Sequence, residues 1–158
     1  KQIPNLLHEI GRLREITFRD VGEGTNKEID IDKFDKYYHH MFLCDNEKNV
    51  LAGAYRMGLG SQIFERFGID GFYLQDLFRF EPELHKMMSQ SLELGRAFII
   101  KEYQQKPMPL FLLWKGIVHV TLRYPEYKYL MGGVSISNQF SDFSKSKSIL
   151  YLLRHAAV

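Results

Sequence analysis

A chain of 158 residues, 45% hydrophobic and 25% charged, is long enough to bury one real core and too short for two comfortable domains. Its single cysteine, Cys44, excludes an internal disulfide and fits a reducing compartment, and no apolar run approaches the roughly 18 residues that a membrane span requires. The net charge of +2 hides an asymmetry: residues 1–100 carry 13 Lys+Arg against 16 Asp+Glu, and residues 101–158 carry 8 against 3. The second half is therefore the one suited to an acidic partner or an anionic surface. With 12 Phe, 9 Tyr and one Trp, a well-filled core or an apolar pocket is expected. The chain begins at Lys1 without Met or signal peptide, so it is expected to be one domain, residues 1–158, excised from something longer.

In chain order, "IPNLLHEIGRLREITF" spaces Leu6, Leu7, Ile10, Leu13 and Ile16 at helical intervals, which predicts a helix over 4–16. "RDVGEGTNKEIDID" is a glycine-punctuated loop. A strand entered near His40, the turn "NEKN" and the strand "VLAGAYRMGLG" form an antiparallel hairpin. "GFYLQDLFRF" alternates weakly and reads as a strand or an ordered loop, and "EPELHKMMSQ" as a short helix with Pro82 near its first turn. "SLELGRAFII" is the next strand. In "PLFLLWKGIVHVTLRY", Leu110, Leu113, Trp114, Ile117 and Val118 make one apolar stripe of a helix that runs to Pro125. "YKYLMGGVSIS" is a strand and "SDFSKSKSILYLLRHAA" a final helix. This order implies an α/β fold, a mixed sheet with helices on both faces.

The chemistry gathers on "SLELGRAFII". Alternation puts Glu93, Gly95 and Ala97 on one face and Leu94, Arg96 and Phe98 on the other, so Glu93 and Arg96 need partners elsewhere unless Gly95 marks a bulge. Asp32, Asp35 and Arg56 are candidate partners. Either these residues form a structural salt-bridge network, or Glu93 faces a cleft where burial raises its pKa toward that of a general base. Asp30, Asp32 and Asp35 lack the glycine and distal Glu of a calcium loop, the histidines show no metal spacing, and no basic-aromatic motif favours nucleic acid.

"LREITFRDVGEG", "DIDKFD", "MFLCD", "VLAGAYRMG", "ELGRAFI", "LLWKGI" and "YLMGGVSIS" together resemble the bacterial N-acyltransferases that build aminolipids. These are the ornithine-lipid, glycine-lipid and serine-lipid synthases, some of them labelled haemolysins. "ELGRAFI" also resembles a block of the acyl-homoserine-lactone synthases, and both groups have the GNAT-like acyltransferase fold. The resemblance implies a cytoplasmic enzyme, at most peripheral on the membrane, that moves a 3-hydroxylated fatty acyl group from acyl carrier protein to the α-amino group of a small amino acid. No cofactor is implied beyond the acyl-phosphopantetheine of that carrier protein, and no metal. It places Arg14, Phe18, Asp32, Asp35, Arg56, Glu93 and Arg96 along or behind the site. Glu93 is then the base, directly or through a water, and the N–H groups of Ala97 and Phe98 are the oxyanion donors.

Ordinary acetyl-CoA enzymes of this fold carry a glycine-rich pyrophosphate loop after the equivalent strand; "KEYQQKPMP" has no glycine and two prolines, which argues against coenzyme A. Their tyrosine acid is missing too, and only Ser135, Ser137 and Ser141 stand nearby. Lys101, Lys106, Lys115 and Arg123 are the bases suited to docking an acidic carrier protein. The other readings are an acyl-homoserine-lactone-type signal synthase and a non-catalytic membrane- or carrier-binding module.

Overall fold

The computed structural model describes residues 4–136 and 140–155. Its helices are α1 (Pro4–Asp20), α2 (Gly60–Phe67), α3 (His85–Ser89), α4 (Lys101–Gln104), α5 (Pro107–Arg123) and α6 (Asp142–His155). The strands β1 (His39–Asp45), β2 (Val50–Leu59), β3 (Ser91–Ile99) and β4 (Tyr129–Met131) form one sheet in the order β1-β2-β3-β4. β1, β2 and β3 are antiparallel neighbours, and β4 joins β3 in parallel. The chain is thus the expected mixed α/β sheet, with β3 inside it.

Helix α1 packs on β2 and β3. Ile10 is buried with Ala52, Ala54 and Phe98, and Leu6, Leu13 and Phe18 lie around them. The helix runs one turn past the predicted end, and Ile16, expected on the apolar stripe, is exposed. Arg14 and Glu15 take the inward positions instead. Glu15 accepts from the N–H of Thr25 and of Asn26 and from the Thr25 hydroxyl, and so fastens the "GEGTN" loop to the helix.

"GFYLQDLFRF" contains no strand; it holds part of one 3-10 turn (Gly68–Gly71) and the whole of a second (Tyr73–Asp76). These turns and α2 cover the lower part of the sheet through Phe34, Tyr38, Ile63, Phe72 and Met88. "GSQIFERF" lacks a side-chain N-cap, so α2 announces itself poorly in the sequence.

On the opposite face, α5 buries Pro109, Leu113 and Ile117. Leu110, Trp114 and Val118 point away and are about half exposed. The predicted single stripe is therefore split, and apolar residues lie on both sides of this helix. The expected loop "KEYQQKPMP" is mostly helical, Lys101–Gln104 as α4 and its last three residues in the first turn of α5, where the missing N–H of Pro107 costs nothing. Among the described residues of "YKYLMGGVSIS", only Tyr129–Met131 pair as a strand. Among the described residues, no helix is long and apolar enough to cross a membrane.

Candidate active site

The site is built where β3 leaves β4. The parallel ladder covers only Ser91, Glu93 and the residue between them. At Gly132 the strands still nearly touch, since a Cβ there would stand 2.5 Å from the Leu94 carbonyl oxygen. Val134 is fully in solvent, and β3 from Gly95 onward has no β4 ladder partner. There β3 also slips against β2: Arg56 pairs with Gly95 and Ala54 with Phe98, so Arg96 and Ala97 together oppose one residue, Tyr55. This is a bulge. Its left-handed residue is Arg96, φ +50°, not Gly95. A non-glycine residue there costs about 1–2 kcal/mol.

The bulge overturns the expected alternation. Gly58 pairs with Glu93 and Arg56 with Gly95, so Glu93, Gly95 and Arg56 share one face. Arg96 is turned toward the same side: its guanidinium lies 5.4 Å from the Tyr73 ring centre, where the Arg56 guanidinium lies at 4.9 Å.

Six residues on that side form an alternating ladder of charge. Asp32 caps the 3-10 turn Lys33–Lys36 by accepting from the N–H of Phe34 and Asp35, and Asp35 accepts from the Asp32 N–H in return. This reciprocal capping box fixes both carboxylates against Arg56, whose Nη1 meets Asp32 at 2.7 Å and Asp35 at 3.3 Å. Asp35 passes to Arg14 at 2.9 Å, Arg14 to Asp30 at 2.9 Å, and Asp30 to Arg96 at 3.5 Å. Arg14, Asp30, Asp35 and Arg56 are fully buried. Burial would raise the Asp35 carboxyl, but the hydrogen bonds and charge of Arg14, with Arg56, carry it below its ordinary value. Each aspartate of "DIDKFD" is thus matched by an arginine.

Glu93 stands outside the ladder. It is 2% exposed and makes no ion pair; its Oε2 accepts from the Tyr38 hydroxyl and the Tyr73 N–H, and its Oε1 from the Leu74 N–H at 2.7 Å. Burial pushes its carboxyl above the ordinary range, against those three donors. Tyr38 also stays protonated, being raised by burial and by the Glu93 charge. Beside Glu93 there is room: a Cβ built on Gly95 meets no atom within 4 Å.

Of the residues the sequence singled out, Arg14, Asp32, Asp35, Arg56 and Arg96 therefore meet in one network, with the Phe18 ring under Arg96 at 5.8 Å. Ala97 is exposed in the bulge, while Phe98 is back in register and buried. Lys101, Lys106, Lys115 and Arg123 are all exposed. Ser135 donates to Glu23, Ser141 lies at the start of α6, and Ser137 lies outside the described residues. Sequence reasoning missed Tyr38 and Tyr73, and weighed Asp30 only as part of a metal loop. The spacing of "DIDKFD" could have suggested Asp30; nothing local marks the two tyrosines. A cavity of about 810 Å³ lies elsewhere, between α1, the β1–β2 turn and α4. Its charged lining includes the exposed Glu9–Arg12 pair and Lys101, but no residue of the charge ladder and not Glu93.

Strand splay, bulge and buried carboxylate together define the class. Residues 13–114 match the model of the acetyltransferase (GNAT) domain, and the chain belongs to that family. It is 32% identical over 163 residues to the glycine N(alpha)-acyltransferases of Bacteroides thetaiotaomicron and of Phocaeicola vulgatus. Those alignments take in 96% of this chain but 48% and 50% of the relatives, so the chain spans about half of their length. Among solved structures, the AHL synthase LasI aligns with a TM-score of 0.53 at 13% identity, covering 96% of this chain and 72% of that one. At that identity the likeness speaks for the fold.

Proposed function

We propose that this domain carries N-acyl transfer from acyl carrier protein to the α-amino group of a small amino acid, glycine first among them, in the making of an aminolipid. The observation that carries the reading is Glu93: a buried carboxylate in no ion pair, beside open space at Gly95 and the unpaired edge of β3. Its Oε1 accepts a single hydrogen bond and retains a lone pair for an incoming proton. The names of the curated relatives support the reaction and the acceptor.

The chemistry balances simply. Glu93, directly or through one water, takes a proton from the amine; the nitrogen attacks the thioester carbonyl; the N–C bond forms as the C–S bond breaks. The phosphopantetheine thiolate leaves and is reprotonated from solvent. In between, negative charge sits on the carbonyl oxygen, which the N–H of Ala97 in the bulge would receive. The expected second donor, Phe98, is back in register with β2, and its N–H points toward Ala54 as that of Ile100 does toward Ala52. Coenzyme A is not the expected donor, because α4 and two prolines stand where a phosphate-binding glycine loop would be. Lys101 and Lys106 flank α4, and Lys115 and Arg123 follow along α5, giving an acidic carrier protein four bases to meet.

The test is transfer of a radiolabelled 3-hydroxyacyl chain from acyl carrier protein to a panel of amino acids. Glycine should be acylated with ping-free, single-step kinetics. Reversing Lys101, Lys106, Lys115 and Arg123 to Glu should raise KM for the carrier protein far more than KM for a small acyl-pantetheine thioester. Equal effects on both donors would remove the docking assignment. Absence of transfer from either donor would remove the reaction.

A further inference from the structure

The charge ladder ends on an arginine that its neighbours do not satisfy. Arg96 has five N–H donors. Its protein partners are one ion pair, Nη1 to Asp30 at 3.5 Å, and the faces of the Phe18 and Tyr73 rings. Its Nε is buried without a hydrogen-bond acceptor. Asp30 does not depend on it, because Arg14 holds the same oxygen at 2.9 Å. A second donor is also unclaimed: Nη2 of Arg56, on a side chain 2% exposed, which likewise lies against Tyr73. Burying guanidinium N–H groups without acceptors is costly, and so is the left-handed backbone at Arg96. Both costs fall at one place, next to the empty space over Gly95.

We infer that Arg96, with Arg56 Nη2 behind it, binds the carboxylate of the amino-acid acceptor. The planar guanidinium fork matches a carboxylate in a bidentate pair, and the surrounding rings leave few other acceptors for it. Tyr73 ties this subsite to the proposed base, since its N–H donates to Glu93 while its ring lies under Arg96. Gly95 separates Glu93 from Arg96 along the strand and leaves the volume between them open. An α-amino acid carries its amine and its carboxylate on one carbon, and so suits a site whose base and cation both lie against one residue, Tyr73. The inference rests on the acyl-transfer reading for its substrate, but the subsite itself can be tested by binding alone.

The experiment compares glycine with glycinamide as acceptors, and N-octanoylglycine with N-octanoylglycinamide as ligands in calorimetry, for the wild type and Arg96→Gln. Glycinamide keeps the size, and its less basic amine is more often unprotonated, so a preference for glycine cannot come from amine reactivity. The wild type should favour the carboxylate in both assays, and Arg96→Gln should reduce that preference at least tenfold, through KM rather than kcat. A preference that survives in Arg96→Gln overturns the subsite, as does a variant that loses both ligands equally. If N-octanoylglycine binds with an Arg96-dependent preference but no acyl group is transferred, the carboxylate subsite stands and the proposed reaction falls.

Discussion

The ladder from Asp32 to Arg96 and the carboxylate of Glu93 share one face of the sheet, yet they are held in opposite ways. In the ladder every carboxylate faces a guanidinium, three charges of each sign, so deep burial is tolerated because the charges cancel. Glu93 has only neutral donors, two N–H groups and a hydroxyl. The first arrangement locks ionisation in place; the second leaves a proton exchangeable. A fold of this kind can keep a rigid polar core and a reactive carboxylate within a few residues of each other, provided the compensating charges all go to the core.

Glu93→Gln should break the comparison most sharply. It keeps the size and removes the basicity, and turnover should fall on the order of 10²–10⁴-fold in a carrier-protein assay. A purified variant within about threefold of wild type would make Glu93 merely the pin that fastens Tyr73 and Leu74 over the sheet. Arg14→Met attacks the other side: it leaves Asp35 only the longer guanidinium pair, with Arg56 at 3.3 Å, and Asp30 only Arg96 at 3.5 Å, and should cost about 3–5 kcal/mol in urea unfolding. Arg96→Ala should cost far less, because Asp30 keeps Arg14. Equal losses for the two arginines would mean that the ladder does not divide as described.

Gly95→Leu projects a side chain into the space beside Glu93 from a Cβ that meets no atom within 4 Å. Turnover should drop by about tenfold or more with an unchanged melting temperature, since displaced reactants lose their orientation; normal turnover would show that the space is not used. The smallest effect is on the pH dependence of stability. The folded state prefers protonated Glu93, so that contribution is full below the ordinary value of 4.5 and is lost as pH rises through the raised one. Asp35 has the reverse sign: its contribution is present above 3.8 and is lost as pH falls through its lowered value. Urea midpoints of Glu93→Gln should therefore decline less than those of the wild type as pH rises above 4.5, while wild-type turnover climbs over the same range.

Much of this was legible in the sequence, for physical reasons. The hairpin has two β-rich runs around "NEKN", β3 has its alternation, and α5 has a long apolar period with Pro107 at its start. Asp32 and Asp35 stand out in the sequence as candidate partners of the arginines, while the capping box they form is seen only in the fold. Gly95, offered by the sequence as a bulge marker, lies one residue before the left-handed position, because glycine is the usual left-handed residue and Arg96 takes that conformation against its own preference. Tyr38 reaches Glu93 across 55 residues, and Tyr73 reaches Arg96 through a turn that has no periodic pattern. Such partners are chosen by tertiary packing, which a local window does not contain. Ile16 and the outer residues of α5 show the converse, an apolar period that the fold leaves in solvent.

The ladder also has a position in time. Arg14, Asp30, Asp32, Asp35 and Arg56 all precede residue 57, and their hydrogen-bonded pairs close chain segments of 16 to 24 residues. Glu93 must close 55 to meet Tyr38. Shorter closures cost less entropy, so α1, the capped turn and the β1–β2 hairpin can gather around their own charges before β3 arrives to insert between them and β4. Refolding kinetics would record this order: Asp35→Asn should slow folding, whereas Glu93→Gln should act mainly by speeding unfolding. A chain built in that sequence assembles five of the six charges of its frame first and receives Arg96 and its reactive carboxylate together, with β3.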